Sequence, residues 1–358
     1  MSRALALAER GRYTSTPNPH VGAVVVRDGA VIGEGFHQRA GEAHAEVAAL
    51  ADARARGNDV RGSTVYVNLE PCNHQGRTGP CSKALMDAGV ARVVLAMRDP
   101  HAPAKGGAEA LIAAGIDVTE GVMEDDAREL NIGFVSNATR GVPWVRSKIA
   151  ASLDGRTALI NGRSQWITGA AARADGHAWR ARACAIVTGI GTVIQDNPSL
   201  TVRDVATTRQ PLRVVIDRHG DTPRDARVLD QGNALIVTAR PKPGAAFGDV
   251  EMLQLPDADG RVDLAQLLRM LAGRGINELH VEAGAKLNGA LLDGGLIDEF
   301  LVYLAPSILG DPARGMVDRM APITELSACT ALAFHRVDRI GDDLRVVARV
   351  LRDAGKES

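Results

Sequence analysis

Along this chain, short apolar runs alternate with alanine-rich amphipathic stretches, and glycine or proline separates them. Residues 3–10 read as a short helix with Leu5 and Ala8 on one face, and the polar loop TSTPNPH follows. VGAVVVRDGAVIGEGF is two apolar runs joined by Asp28-Gly29, the pattern of a β-hairpin. AHAEVAALADARARG predicts a helix that stops at Gly57. STVYVNLEP, RVVLAMRDP and IDVTEGV read as strands, and CSKALMDAG and GGAEALIAAG as helices. The order β-β-α-β-α-β-α-β predicts a mixed or parallel sheet covered by helices.

EDDARELNIGFVSNATRGVP reads as one helix and a linker. From Trp144 the pattern restarts. WVRSKIAASL, ACAIVTGI, LRVVIDR, ALIVTAR, ELHVEAG, EFLVYLAPSIL and DLRVVARVL read as strands, with helical stretches between several of them. We place the boundary near Thr139–Pro143, which gives units 1–142 and 143–358. A length of 358 residues suits two domains, since domains usually run about 100–200 residues.

Composition narrows the function classes. Hydrophobic residues make up 45% of the chain and charged residues 24%, as in ordinary globular proteins. A net charge of −1 lacks the basic footprint of a nucleic-acid binder, and 3% aromatics leaves few stacking platforms for single strands. No stretch is long and apolar enough to span a membrane. The start, MSRALALAERGRY, has no continuous apolar core and carries Glu9, so it does not read as a secretory signal. A cytoplasmic location is expected, where a close cysteine pair more often binds metal than forms a disulfide.

The four cysteines include such a pair. Three pieces come together: His44-Ala45-Glu46, Pro71-Cys72, and Cys81. One imidazole and two thiolates suit zinc and leave the fourth tetrahedral position open for water. The metal lowers the pKa of that water towards neutrality. Glu46, two residues past His44, should not be a fourth ligand, but from the first turn of a helix it reaches the water. HxE followed by PC and a second cysteine is the nucleobase-deaminase pattern, with the glutamate as general acid/base. The spacing here is wider, PCNHQGRTGPC, making a ligand loop able to carry substrate contacts. The plainer alternatives are two buried free thiols or a closed structural zinc site, for which His74 is the nearby fourth ligand.

Beyond this motif, NPHVGAVVV, GEGFHQRAGEAHAE, NLEPCNHQGRTGPC and MRDP in the first half, and ASLDGR, SQWIT, TGIGTVIQDNPSLTVR, VVIDR, VEAGAKLNGALL and LAPSILG in the second, resemble the bifunctional riboflavin-biosynthesis deaminase/reductase family. The resemblance runs in the family's order over nearly the whole chain. It implies a cytidine-deaminase-like domain followed by a dihydrofolate-reductase-like domain. The first would hydrolyse the 2-amino group of 2,5-diamino-6-(5-phosphoribosylamino)pyrimidin-4-one. The second would use NADPH to reduce the ribosyl side chain of the deaminated product to ribityl. It implies His44, Cys72 and Cys81 as zinc ligands and Glu46 as acid/base. Asn18, His37 and His74 would contact the pyrimidine or its ribose phosphate, and Arg77 the phosphate.

In the second half, TGIGTV fails as a dinucleotide fingerprint, because Ile194 stands where the third glycine belongs. LHVEAG running into AKLNGALLDGG is better placed. Gly284 and Gly289 let backbone approach a ligand, and a helix N-terminus suits a phosphate. The resemblance implies that Gly284, Ala285, Lys286, Leu287, Asn288, Gly289 and Ala290 hold the NADPH phosphates, with Ala151, Trp166, Thr192 and Asp196 lining the rest of the cofactor site. Ser164, Arg180, Leu200, Arg203 and Glu282 would contact substrate, the arginines suiting a phosphorylated sugar. Arg218 follows VVID where the family often has Ser or Thr; it either helps hold the 2′-phosphate or points to solvent.

The alternative function is a zinc nucleobase or nucleic-acid deaminase with a non-catalytic second domain. Balanced charge, the wide cysteine spacing and the reductase-like half argue against it. The expected partners are small phosphoribosylaminopyrimidines, with no nucleic acid and no membrane, and a homo-oligomer is expected.

Overall fold

The computed structural model describes residues 1–74, 79–310 and 312–352. The chain forms two compact units, Met1–Val142 and Pro143–Ser358.

The first unit opens with helix α1 (Ser2–Glu9), then the hairpin β1 (Gly22–Arg27) and β2 (Ala30–Phe36). Asp28 and Gly29 have φ of 50° and 78°, the left-handed pair that a two-residue hairpin turn requires. Helix α2 (Ala45–Ala55), β3 (Thr64–Leu69), α3 (Cys81–Asp87), β4 (Arg92–Met97), α4 (Gly107–Ala113) and β5 (Asp117–Thr119) follow. The sheet order is β2-β1-β3-β4-β5. β1 is antiparallel to both neighbours, whereas β3, β4 and β5 run parallel. The core packs sheet residues such as Ala23, Val25, Val65 and Leu95 against Leu50, Leu85 and Leu111 of the helices.

The stretch read as a helix and a linker is two helices, α5 (Glu124–Leu130) and α6 (Ile132–Arg140). Gly133 and polar residues interrupt the apolar period of α6, which hid it. Phe134 and Val135 nevertheless pack against the core, and Gly141 ends the helix at φ 67°.

The second unit holds β6 (Trp144–Ser152), β7 (Arg156–Ala158), α7 (Ala170–Arg182), β8 (Ala185–Gly189), α8 (Ile190–Asp196), β9 (Leu212–Ile216), β10 (Ala234–Thr238) and β11 (Glu251–Gln254). Next come α9 (Leu264–Gly273), β12 (Glu278–Val281), α10 (Ala285–Asp293), β13 (Glu299–Ala305), β14 (Arg314–Gly315), β15 (Leu332–Ile340) and β16 (Asp343–Val350). Nine strands form one sheet in the order β11-β10-β9-β8-β12-β6-β13-β16-β15. The first seven run parallel and the last two pair antiparallel. All the C-terminal strand ends from β11 to β13 therefore lie on one edge, where open α/β sheets bind ligands.

The sequence reading omitted β15. It is an edge strand with most side chains exposed, Phe334 by 78%, so no alternation marks it. The short β7, β11 and β14 were also omitted.

Ionic pairs, not only apolar contacts, fill the sheet face covered by α7. Arg146 reaches Glu299 at 2.5 Å and Glu278 at 3.0 Å, and Arg182 reaches Glu278 at 2.6 Å. Trp179 stacks under the Arg146 guanidinium, 4.4 Å from ring centre to carbon. These groups are almost wholly buried, so each depends on its partner for solvation.

Candidate active sites

The metal site is assembled by the packing of α2 and α3 at the sheet. Gly33 and Gly35 of β2 lie directly against the backbone of Ala49 and Ala45, where a Cβ would collide. Helix α2 therefore sits closer to β2 than any larger residue allows. His44 immediately precedes that helix and Glu46 lies in its first turn. Cys72 follows β3, and Cys81 is the first residue of α3. The ligand atoms of His44, Cys72 and Cys81 lie within 4.8 Å of one another. His44 Nδ1 is 3.3 Å from the Cys81 sulfur and 3.6 Å from that of Cys72. Such separations suit two thiolates and an imidazole around one tetrahedral zinc.

Electrostatics agrees with this chemistry. The Cys72 thiol is lowered to about 4, chiefly by its hydrogen bond with Cys81, with His44 adding to it. The Cys81 thiol is pushed upward, chiefly by its hydrogen bond with Cys72, with burial and the neighbouring Glu46 and Cys72 charges adding to it. A cation binding both would take both as thiolates. Glu46 is 3% exposed, and burial raises its carboxyl to about 7. A carboxyl poised near neutrality is suited to move protons.

Around this centre, Asn18 Nδ2 donates to His37 Nε2 at 3.0 Å, and His37 Nδ1 donates to the Ala43 carbonyl at 3.0 Å. The His37 ring meets that of His44 edge-on, with centroids 5.3 Å apart. The structure thus brings Asn18 and His37 to the metal ligands. His74 is exposed and is not part of the metal-ligand group, so a closed four-ligand site is not formed among the described residues. Arg77 lies outside the described residues.

Two buried acids went unnoticed in the sequence. Glu70 accepts from the backbone of Asp99 at 3.0 Å and of Ala108 at 3.1 Å, pinning the ends of β3 and β4 and the start of α4 beside the ligand loop. Burial raises Asp99 to about 6, with Glu70 and Cys72 adding to the effect. The available signal was an acid next to each strand end, in LEPC and MRDP.

In the second unit a cleft of about 230 Å³ opens at the C-terminal edge of the sheet. Ser164, Thr192, Asp196, Glu282, Gly284 and Ala285 line it. So do Lys148 and Arg314, which the sequence reading missed. Lys148 shares the otherwise apolar, largely buried strand β6 with Arg146, and a cation in such a strand is a rare placement that marks it. Arg180 grips Glu282 with both carboxylate oxygens engaged and donates to the Thr201 carbonyl at 3.2 Å. Despite burial, Arg180 holds the Glu282 carboxyl well below the usual carboxylate range. Burial pulls the Lys148 ammonium below its ordinary value.

The other reductase-side residues are placed as follows. Gly284 precedes α10 with open space at its Cβ position. Gly289 instead lies hard against the Asp318 carbonyl, so its missing side chain serves chain packing and not ligand approach. Asn288 accepts from Ser147 Oγ at 3.2 Å and donates to Met316 O at 3.2 Å. Lys286 and Leu287 are on the first turn of α10, and Ala290 is farther along it. Ala151 is buried within β6. Leu200 is buried in an apolar cluster with Ile186 and Val215. Trp166 is 69% exposed under the Arg173 guanidinium. Arg203 is exposed, its backbone N–H donating to His177 Nδ1 at 3.1 Å.

Fold and sites define a class of protein: a zinc-binding deaminase domain joined to a reductase domain. Residues 1–97 match the model of the cytidine and deoxycytidylate deaminase zinc-binding region, and residues 143–346 match the RibD C-terminal domain. The riboflavin biosynthesis protein RibD of Escherichia coli K12 is 44% identical over 96% of this chain and 96% of its own length. A solved Acinetobacter baumannii RibD structure superposes with a TM-score of 0.90 at 41% identity, covering 98% of both chains. The Thermotoga maritima diaminohydroxyphosphoribosylaminopyrimidine deaminase/5-amino-6-(5-phosphoribosylamino)uracil reductase superposes with a TM-score of 0.90 at 34% identity, covering 98% of this chain and 97% of that one. The chain belongs to the RibD family of bifunctional riboflavin-biosynthesis deaminase/reductases. It is a hydrolase and an oxidoreductase, with zinc in the first domain and NADPH serving the second. A nucleic-acid deaminase with a non-catalytic second domain is not supported. Among the described residues, no helix is long and apolar enough to cross a membrane.

Proposed function

We propose that residues 1–142 deaminate 2,5-diamino-6-(5-phosphoribosylamino)pyrimidin-4-one, and that residues 143–358 then reduce the product's ribosyl group to ribityl. The observation that carries this reading is the convergence of one imidazole and two thiols beside a buried glutamic acid. His44, Cys72 and Cys81 would hold a zinc ion, which when bound would acidify a water. Glu46 takes a proton from the attacking water and delivers one to the departing amino group, so that ammonia leaves and a carbonyl remains. Asn18 and His37 orient the pyrimidine, with His74 and Arg77 on its ribose phosphate.

In the second unit a bound NADPH would supply the hydride. Thr192, Asp196, Ala151, Trp166 and the segment Gly284–Ala290 hold the cofactor, with Gly284 presenting the open helix N-terminus. Glu282, Ser164 and Lys148 face the substrate side of the cleft. Arg180 orients Glu282, while Leu200 and Arg203 complete the sugar-phosphate end. None of the four cysteines is in a disulfide, which supports a cytoplasmic location, and we propose a homo-oligomer.

Metal analysis of Cys72→Ser tests the carrying observation. The variant should lose zinc and ammonia release while still oxidising NADPH with the deaminated substrate. Full zinc with full deamination would remove Cys72 from the ligand set.

A further inference from the structure

The loop between α8 and β9 has no strand to satisfy its backbone at residues 200–203, and side chains do so instead. Leu200 is buried with Ile186 and Val215 while its φ is 51°, a left-handed backbone that a leucine keeps only where the surroundings impose it. From there, consecutive backbone groups are taken one by one. Arg180 Nη1 donates to the Thr201 carbonyl at 3.2 Å. Gln210 accepts from Val202 N at 2.8 Å and donates to Val202 O at 3.2 Å. His177 Nδ1 accepts from Arg203 N at 3.1 Å. Backbone polar groups away from a ladder need such partners, and here the partners also fix the path of the chain into Arg203.

His177 and Arg180 lie one turn apart on α7, so one helix face supplies both holds. Arg180 also grips Glu282, which lines the cleft, so a single guanidinium separates the cleft from Thr201. Glu282 neutralises that guanidinium. Arg203 forms no salt bridge among the described residues, and its Nη1 reaches back to Thr201 Oγ1 at 3.3 Å. The uncompensated cation of the loop is therefore Arg203, beside the cleft, where a sugar reacting in the cleft would carry its phosphate. The state of His177 suits its hold. An Nδ1 that accepts from an N–H is unprotonated, which puts the ring's proton on Nε2. Burial, with the Arg180 and Arg203 charges adding, lowers the pKa of this histidine and favours that neutral ring, against the opposing charges of Asp204 and Glu282.

We propose that His177 is a positioning residue of the reductase reaction: by accepting the Arg203 N–H it fixes where the loop presents the Arg203 guanidinium to the substrate phosphate, with Gln210 holding Val202 just before it. The assignment rests on the reading of Arg203 as a contact to the sugar phosphate.

Steady-state NADPH oxidation by the full-length protein tests it, with the deaminated substrate and with the same compound lacking its phosphate. His177→Ala should raise KM for the phosphorylated substrate about three- to ten-fold, the worth of one hydrogen bond, and leave kcat and NADPH affinity within about two-fold. A rise in KM at constant kcat is the mark of lost binding, not lost chemistry. On the unphosphorylated compound the variant should match the wild type. His177→Asn should restore KM, because the asparagine Oδ1 takes the place of Nδ1 and accepts the same bond. In an Arg203→Ala background, His177→Ala should add nothing further. Gln210→Ala should show the same phosphate-dependent rise, and it carries the test if His177→Ala does not fold. An unchanged KM in His177→Ala, an equal rise on both compounds, or asparagine failing to restore KM overturns the assignment. If Arg203→Ala itself leaves KM for the phosphorylated substrate unchanged, the reading of Arg203 fails and takes this assignment with it.

Discussion

Glu46 and Glu282 are both secluded glutamates at the heart of an active site, and they are driven in opposite directions. Among the described residues Glu46 has thiols and an imidazole around it and forms no salt bridge with an arginine or lysine, and burial lifts it to about 7. Glu282 is desolvated as well, yet Arg180 and Lys148 keep it ionised far into acid. The lesson is that burial alone does not set a carboxyl's charge; the presence of a paired cation does. The first arrangement suits a group that must gain and lose a proton. The second suits a fixed negative charge that binds and orients. The two units differ in the same way at large. The first gathers its metal ligands from a short stretch, His44 to Cys81, whereas the second threads cations and carboxylates through its sheet.

The largest effect is expected from removing the proton-moving acid. Glu46→Gln should keep its zinc and lose about 10²–10⁴-fold in ammonia release, since the amide cannot shuttle a proton. NADPH oxidation with the deaminated substrate should be unchanged. A deamination rate within a few-fold of wild type would end the contrast, because Glu46 would then be no more active chemically than Glu282.

The next effect comes from depriving Glu282 of its cation. Arg180→Met leaves a buried carboxylate without its bidentate partner, which costs about 3–5 kcal/mol of stability in comparable buried pairs. Thermal unfolding should show the second unit melting earlier while ammonia release persists at moderate temperature. Adding Glu282→Gln should recover part of the loss, because no stranded charge remains. If the single and double variants melt alike, the pair is not an electrostatic unit.

The smallest effect is a pH dependence. Arg182 and Arg146 lower Glu278 to about 2 against burial, and Glu282 is held low by Arg180. A depressed carboxyl contributes stability that is fully present above its unfolded value of about 4.3 and is lost as pH falls through the folded value. The second unit should therefore weaken progressively from about pH 4.3 towards 2, while Glu46, displaced upward, adds no such loss. Melting curves across that range check this; a second unit equally stable at both ends would mean that the arginine pairs contribute nothing net.

Much of the first site was legible. The residue types His44, Glu46, Cys72 and Cys81 are rare enough in that pattern to point to zinc chemistry from the sequence alone. The second site was less so. Lys148 shares its strand with a second cation, Arg146, so its charge alone did not mark a cleft, and Gly289, expected to let a ligand approach, packs against Asp318 instead. Strand β15 carried no alternation because most of its side chains face solvent.

What the sequence by itself determined are features set by near neighbours: the Asp28-Gly29 turn, the strand and helix starts, and the ligand types of the metal site. Such features depend on backbone sterics and local hydrogen bonds, which a short window contains. Tertiary structure alone decided the charge states and the company each group keeps. Arg180 and Glu282 are 102 residues apart, and Arg146 and Glu299 are 153 apart. Whether a glutamate there titrates near neutrality or stays ionised depends on a cation that only the folded sheet brings within reach, in surroundings that water no longer screens.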